Sequence, residues 1–367
     1  MHILAIPSWY PSEKNPFNGN FIERHLELIA KNHQVSVLVF QTHASSEIKI
    51  ELNTKENLNI YSIFYPKRKT KIAQYFALRK AFLKVSKQIK EVDLVHSHVM
   101  LDKGIVAVWA KKLYSAPLVV TEHGSYLFRE KYSELSLFQK YIMVQTIKNA
   151  RAISCVSNIL QEEIKYLFPR SKVCITPNLV NRELFSISEE SKSEILKFIH
   201  ISTLEKVKNV DEIIRGFEIF SENNSNFELT IISEVQNKAI ENQINASKIK
   251  DQITLIGPIS SEKVAEKLKE SCALIVLSSY ETFSCVIAEA WSSGVPVLAT
   301  PVGIAKNLAP HLGIQIQEAS EKALNLALQE FIAQKSTFVP TDLRAETLAY
   351  SETEVLKSFE HFYSNFK

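Results

Sequence analysis

The chain has 367 residues, 46% hydrophobic and 23% charged, with a net charge of +3. That is a soluble globular composition, too long for one ordinary core, so two domains are expected. The longest apolar runs, such as "CALIVL" (272–277), are far shorter than the ~18 residues a membrane span needs, and the four cysteines show no zinc or CxxC spacing.

The first residues, "MHILAIPSWYP", carry no basic segment or cleavage site, so no signal peptide is read there and the cysteines are expected as reduced thiols in a cytoplasmic protein. Apolar, β-rich runs then alternate with helical patterns. The first series is 2–6, 35–40, 59–65, 92–98, 117–123, 152–157 and 173–178; the second is 197–202, 227–233, 253–257, 273–279 and 295–300. Continuous hydrophobic strands separated by helices predict parallel sheets covered on both faces. Two series predict two doubly wound domains, with ligands at the carboxyl ends of the strands. The expected boundaries are 1–182, a polar linker at 183–194, 195–345, and a closing helical segment at 346–367.

Charge divides unevenly: +11 over residues 1–185 and −8 over the rest. Residues 67–90 ("KRKTKIAQYFALRKAFLKVSKQIK") hold nine basic residues and no acidic one. Tyr75, Leu78, Phe82, Val85 and Ile89 recur at helical spacing, predicting a core-facing stripe. The basic face is left free for phosphate or anionic lipid. No aromatic-interleaved basic groove accompanies it, so nucleic acid is not expected.

Glycine is scarce, and Gly19, Gly124, Gly257 and Gly303 all fall in strand-to-helix loops, where a backbone must turn or approach a ligand. The stretch "SSYETFSCVIAEAWSSGVPVLAT" (278–300) places Glu281 in a strand's exit loop and Glu289 eight residues on, inside an apolar helix that Gly294 closes. Unpaired buried carboxylates are costly. Either both face solvent, or the helix start at Phe283, Ser284, Cys285 and Val286 binds phosphate while the carboxylates bind hydroxyls. A sugar, a phosphate and a ribose together describe a nucleotide-sugar.

This stretch resembles the E-x7-E signature of retaining GT-B glycosyltransferases, glycosyltransferase family 4 (glycosyl transferases group 1). The resemblance covers nearly the whole chain. "SWYPSEKNPFNGNFIERHLELI" is similar to the family's first loop, with Gly19 at its glycine; "VDLVHSH" and "VVTEHGSYL" are similar to its fourth strand and T-x-H-G element, with His123 at the active-site histidine. "AISCVSNIL" and "ITPNLVNRELF" also match in order, and "FIHISTLEKVKNVDEIIRGF" places Lys208 at the diphosphate lysine. Three positions depart: Thr203 stands at the family's arginine, with Lys206 a nearby basic residue; Asn20 replaces a second glycine; and Ile304 and Asn307 follow Gly303.

The resemblance implies an α/β GT-B fold, two Rossmann-like domains facing each other across a cleft. It implies transfer of a hexose-type sugar with retention of configuration from a UDP- or GDP-type donor to a cell-envelope glycan or lipid-linked acceptor. Glu281 would contact the transferred sugar, Glu289 the ribose and Lys208 the diphosphate, helped by the amides near Ser284–Val286. The base would lie at Ile256–Gly257, with Gly19 and Thr203 completing the donor site and His123 facing the reaction centre. No cofactor is implied. No metal is expected, because none of the five aspartates forms D-x-D. His96 and His98 have metal-like spacing but no third ligand nearby, and read as strand-end packing or acceptor contacts. Peripheral attachment to the inner membrane face through residues 67–90 follows from the basic face. The alternatives are a non-catalytic partner subunit of the same fold and a nucleotide-sugar epimerase. A dehydrogenase is disfavoured, since no G-x-G-x-x-G follows a strand.

Overall fold

The computed structural model describes residues 1–13, 15, 18–188 and 194–364. They form two compact units, Met1–Asn178 with Val355–Lys367, and Leu179–Glu354. The division falls near the expected boundaries but not on them. Residues 179–188 belong with the second unit because their backbone is bound there: Val180 N donates to Tyr350 O, and Phe185 O accepts from Ser292 Oγ and Arg344. Residues 189–193 of the expected linker lie outside the described residues.

The first unit is built on strands β1 (His2–Pro7), β2 (Gln34–His43), β3 (Lys49–Lys55), β4 (Leu58–Pro66), β5 (Leu94–His98), β6 (Leu118–Glu122), β7 (Ala152–Cys155) and β8 (Val173–Ile175). Their order in the sheet is β3-β4-β2-β1-β5-β6-β7-β8, parallel throughout except for the β3–β4 pair. The seven parallel strands are those expected. The polar, exposed edge strand β3 has no apolar run to announce it. Helices α1 (Asn20–Ala30), α2 (Lys71–Val85), α3 (Gly104–Tyr114), α4 (Arg129–Glu134), α5 (Leu137–Asn149) and α6 (Asn158–Leu167) make the crossovers. Local chemistry sets their ends: Thr70 caps α2, and Ser136 and Gln139 form a reciprocal capping box on α5. The predicted inward stripe of α2 is buried at Leu78, Phe82 and Val85, with Ile89 just beyond it and Tyr75 packed alongside.

The second unit carries β9 (Leu196–Ile201), β10 (Phe227–Ile232), β11 (Ile253–Ile256), β12 (Ala273–Val276), β13 (Val297–Ala299) and β14 (Gly313–Gln315) in the order β11-β10-β9-β12-β13-β14, all parallel. Its helices are α7 (Val210–Phe220), α8 (Lys238–Ala246), α9 (Ser261–Glu270), α10 (Cys285–Ser292), α11 (Glu321–Gln334) and α12 (Pro340–Glu346). The final helix, α13 (Glu352–Ser364), joins the first unit from Val355 onward, where Phe359, Phe362 and Tyr363 are buried. Among the described residues no helix is long and apolar enough to cross a membrane.

A polar ladder runs through the first unit's core. His96 on β5 bonds Tyr363 Oη (2.8 Å) through Nδ1 and Thr121 Oγ1 (2.7 Å) through Nε2; Thr121 continues to Ser154 (2.7 Å), and Ser154 to Thr176 (2.9 Å). Four neighbouring strands or their exits are thereby tied in register, and each hydroxyl of the ladder is satisfied. His25 on α1 reaches Pro177 O (3.1 Å) through Nε2. Burial lowers the pKa of His25 to about 4 and of His96 to about 3.

A buried histidine held neutral must charge on unfolding in acid. For His25 this represents roughly 3 kcal/mol of stability, present above pH 6.5 and lost as pH falls towards 4. His25→Gln keeps a donor for Pro177 O without the titration. The variant's melting temperature should fall less steeply than the wild type's between pH 6.5 and 5; parallel slopes in calorimetry would contradict this.

Candidate active site

Parallel sheets bind ligands where the strand order reverses, because the loops leaving the two flanking strands diverge to opposite faces. In the second unit that point lies between β9 and β12. The loop after β9 brings Lys208, and the loop after β12 brings Glu281. Lys208 Nζ lies 2.6 Å from Glu281 Oε1, with the side chains only 18% and 16% exposed. Ser278 Oγ donates to the same oxygen (2.9 Å). The two loops are also laced by backbone: Ser279 N donates to Val207 O (2.8 Å), and Asn209 Nδ2 donates to Leu277 O (2.8 Å) and Ser279 Oγ (3.0 Å). Asn209 takes a left-handed φ of 51°, which asparagine tolerates better than most side chains.

Sequence reasoning missed the residue beneath this loop. His200 on β9 is buried, donates from Nδ1 to Ile275 O (2.9 Å), and accepts at Nε2 from Ser202 Oγ (2.8 Å), which in turn accepts from Leu204 N (3.2 Å). Burial lowers its pKa to about 4, so it works as a neutral relay. The apolar run that identified the strand gives no sign of this role.

The helix after Glu281 starts later than expected. Ser284, at φ 71°, is the N-cap of α10, so Cys285 and Val286 head the helix and Phe283 belongs to the loop. The Phe283 ring is buried against Tyr350, 5.1 Å between centroids, and its carbonyl accepts from Ile304 N (3.0 Å). Ser284 Oγ is buried without a hydrogen-bond partner. Glu289, only 8% exposed, follows on the same helix. Gly294, at φ 69°, ends it. Gly303, at φ 52°, lies so close to the turn that a Cβ would sit 2.3 Å from Phe283 O and 3.2 Å from Glu281 Cβ.

The remaining second-unit positions spread along the same sheet edge. Thr203 follows β9, and its buried Oγ1 has no partner. Lys206 is exposed. Ile256 ends β11, where its carbonyl accepts from Ser233 N (3.0 Å), and Gly257 faces open space.

In the first unit the order reverses between β1 and β5. Gly19, at φ 73°, heads α1, and a Cβ there would lie 2.6 Å from the Trp9 carbonyl. Val99 leaves β5 at φ 70°, a conformation a β-branched residue adopts only under strain of about 1–3 kcal/mol. His123 directly follows β6, 4% exposed, its Nε2 3.3 Å from His98 Nδ1 and its ring 5.0 Å from Phe21. Burial holds its pKa well below the ordinary histidine range. Its neighbour Glu122 is wholly buried, with both carboxylate oxygens 2.7 Å from Tyr126 Oη, and burial raises its pKa to about 7. Of the "VHSH" pair only His98 joins a cluster, and His96 does not: one ring nitrogen each of His25, His98 and His123 lie within 4.8 Å of one another, a set able to hold a metal ion.

Comparison with known proteins agrees with the two parallel-sheet units. Residues 23–184 match the model of Glycosyltransferase Family 4, and residues 181–347 that of glycosyl transferases group 1. A Bacillus subtilis (strain 168) protein, TuaC, named for teichuronic acid biosynthesis, is 25% identical over 358 residues, 90% of this chain and 89% of that protein. The N-acetyl-alpha-D-glucosaminyl L-malate synthase of Bacillus anthracis is 28% identical, over 67% of this chain and 65% of that protein. Among solved structures, Anabaena HepE in complex with UDP and glucose superposes with a TM-score of 0.78 over 99% of both chains at 16% identity.

The Gly303 contact gives a direct test. Gly303→Ala adds a methyl group against backbone at a left-handed φ and should cost about 1–3 kcal/mol in denaturant unfolding, because the 281–283 turn must shift. A stability within experimental error of wild type would refute that packing.

Proposed function

Because the chain belongs to the GT-B glycosyltransferases, family 4 in its first half and group 1 in its second, we propose that it moves a sugar from a nucleotide diphosphate donor to an acceptor hydroxyl with retention of configuration and without a metal ion. The observation that carries this reading is the Lys208–Glu281 pair at the strand-order reversal, directly before the helix that Ser284 caps.

An ammonium has three N–H donors, so Lys208 can hold Glu281 with one and phosphate oxygens with the others. When the bond from the anomeric carbon to the diphosphate breaks, negative charge grows on the leaving oxygens. Lys208 and the positive end of α10 lie on the same sheet edge to receive it. Glu281, anchored by Lys208 and Ser278, is left an oxygen for the sugar's hydroxyls. Glu289 binds the ribose, and Thr203, Ile256 and Gly257 border the nucleotide. In the first unit, His123 offers a neutral hydrogen-bonding group just after β6, and Gly19 lets the first loop turn tightly against the Trp9 carbonyl. The relatives support a nucleotide-sugar donor and a cell-envelope acceptor: HepE was solved with UDP, and TuaC is named for teichuronic acid biosynthesis. The basic residues 67–90 support an acceptor presented at the inner face of a membrane.

The test is a thermal-shift panel with UDP, GDP, ADP, CMP and dTDP on wild type and Lys208→Ala. A ligand at 100 times its Kd adds about 2.7 kcal/mol to stability. One nucleoside diphosphate should raise the wild type's melting temperature and leave Lys208→Ala unmoved. Activity with that donor should survive exhaustive chelation. Loss of activity on chelation would refute metal independence and point to His25, His98 and His123.

A further inference from the structure

Helix α2 presents apolar residues on two separate faces. Leu78, Phe82 and Val85 are buried, yet Ile72 (73% exposed), Phe76 (61%) and Leu83 (45%) form a second stripe facing solvent. Across from its first turns stands the start of α5, with Leu137 (86%) and Tyr141 (55%) exposed. Between the two helices opens a cavity of 430 Å³ whose apolar lining is Tyr65, Tyr75, Leu78, Ile105, Phe138 and Ile142. Its charged lining residues are Lys71, Lys103, Asp102 and Glu134; Lys103 reaches Tyr65 Oη at 3.4 Å. On the other flank of α2 lies a hollow of 460 Å³ lined by Arg68, Lys80 and Lys84, with Glu47 its one acidic member.

Exposed aliphatic and aromatic side chains clustered on two adjacent helices mark an interaction surface. Charge decides among the occupants. The helix and its two flanks, residues 67–90, carry nine basic residues and no acid, which suits an anionic surface and would repel a second copy of the same face. An apolar stripe flanked by lysines on a helix lying in a surface is the pattern of an interfacial helix. The cavity beside it has the size and lining of a small-ligand site.

We propose that this face docks on an anionic lipid bilayer, with Ile72, Phe76 and Leu137 bedded among the chains and one lipid chain entering the cavity between α2 and α5. The headgroup phosphates meet Arg68, Lys80 and Lys84 in the hollow on the opposite flank. The proposal rests on the membrane-presented acceptor read above and gives that acceptor a place in the first unit. Its test involves no turnover, so either reading can fail alone.

Vesicles of phosphatidylglycerol with phosphatidylcholine should sediment the wild type, and phosphatidylcholine alone should not. High salt and the variant with Lys67, Arg68, Lys69 and Lys71 changed to Ser should each weaken sedimentation by at least about tenfold. The double variant Phe76→Ser, Leu137→Ser changes only exposed side chains and should do the same. Trp109, 5.1 Å from Tyr75 at the cavity wall, reports chain entry. Lipid with brominated chains should quench its fluorescence, and the extra quenching should vanish in Trp109→Phe. Vesicle binding that is absent, or unchanged in the double variant, overturns the proposal. So does quenching indifferent to Trp109→Phe. A dimer dissolved by the double variant, without vesicle binding, would assign the face to a second copy instead.

Discussion

The ion pair between Lys208 and Glu281 is the constraint on which the second unit's chemistry depends. Two largely buried charges 2.6 Å apart would each be costly alone. They are tolerated because the topology delivers them together: β9 and β12 are neighbours in the sheet, yet their connections leave in opposite directions. The loops can then meet over the strand ends without either chain crossing the other. Removing one partner would leave the other's charge uncompensated, so neither residue is independent of the other, whatever ligand the site takes.

Rigidity beneath the loops comes from neutral histidines in both units. His200 fixes the loop carrying Lys208, while His96 and His25 tie the ends of the first unit's strands to α13 and to the Pro177 carbonyl. A neutral imidazole donates at one nitrogen and accepts at the other, so it can join two elements without bringing charge into the core. Strain concentrates at the same sheet edges. Val99, Leu204, Asn209 and Ser284 all have positive φ, and all lie in loops that leave a strand's carboxyl end. The ladders below hold those turns where the backbone alone would relax.

Much of this was legible in the sequence. Twelve strands could be read because a sheet buried on both faces needs unbroken apolar runs. β3 could not, since an exposed antiparallel edge needs none, and the three-residue β14 is too short to show a pattern. Glu281 and Glu289 stood out because carboxylates in an apolar stretch demand a reason. That Lys208 would meet Glu281 was not readable, because pairing across 73 residues is set by strand order. The buried ring of Phe283 was likewise hidden: a helix start is visible in sequence to within a turn, and only the left-handed Ser284 fixes it. His25 shows the same limit, since it lies far along the chain from His98 and His123 and only the folding of α1 brings the three together.

Helix α2 shows how one periodicity conceals another. Apolar residues at 75, 78, 82, 85 and 89 satisfy the core, and once that stripe is recognised, Ile72, Phe76 and Leu83 read as scatter between lysines. On the folded helix they are not scattered. Positions 72, 76 and 83 fall on one side, 77, 80 and 84 border the basic hollow, and 71, 74, 75 and 78 border the apolar cavity. A helix needs only one apolar face to hold its place in a fold. The second is extra hydrophobic surface kept in water beside a run of positive charge. Each feature alone is ordinary for a surface helix. Their division into separate flanks of a single helix is what gives this face of the first unit a direction.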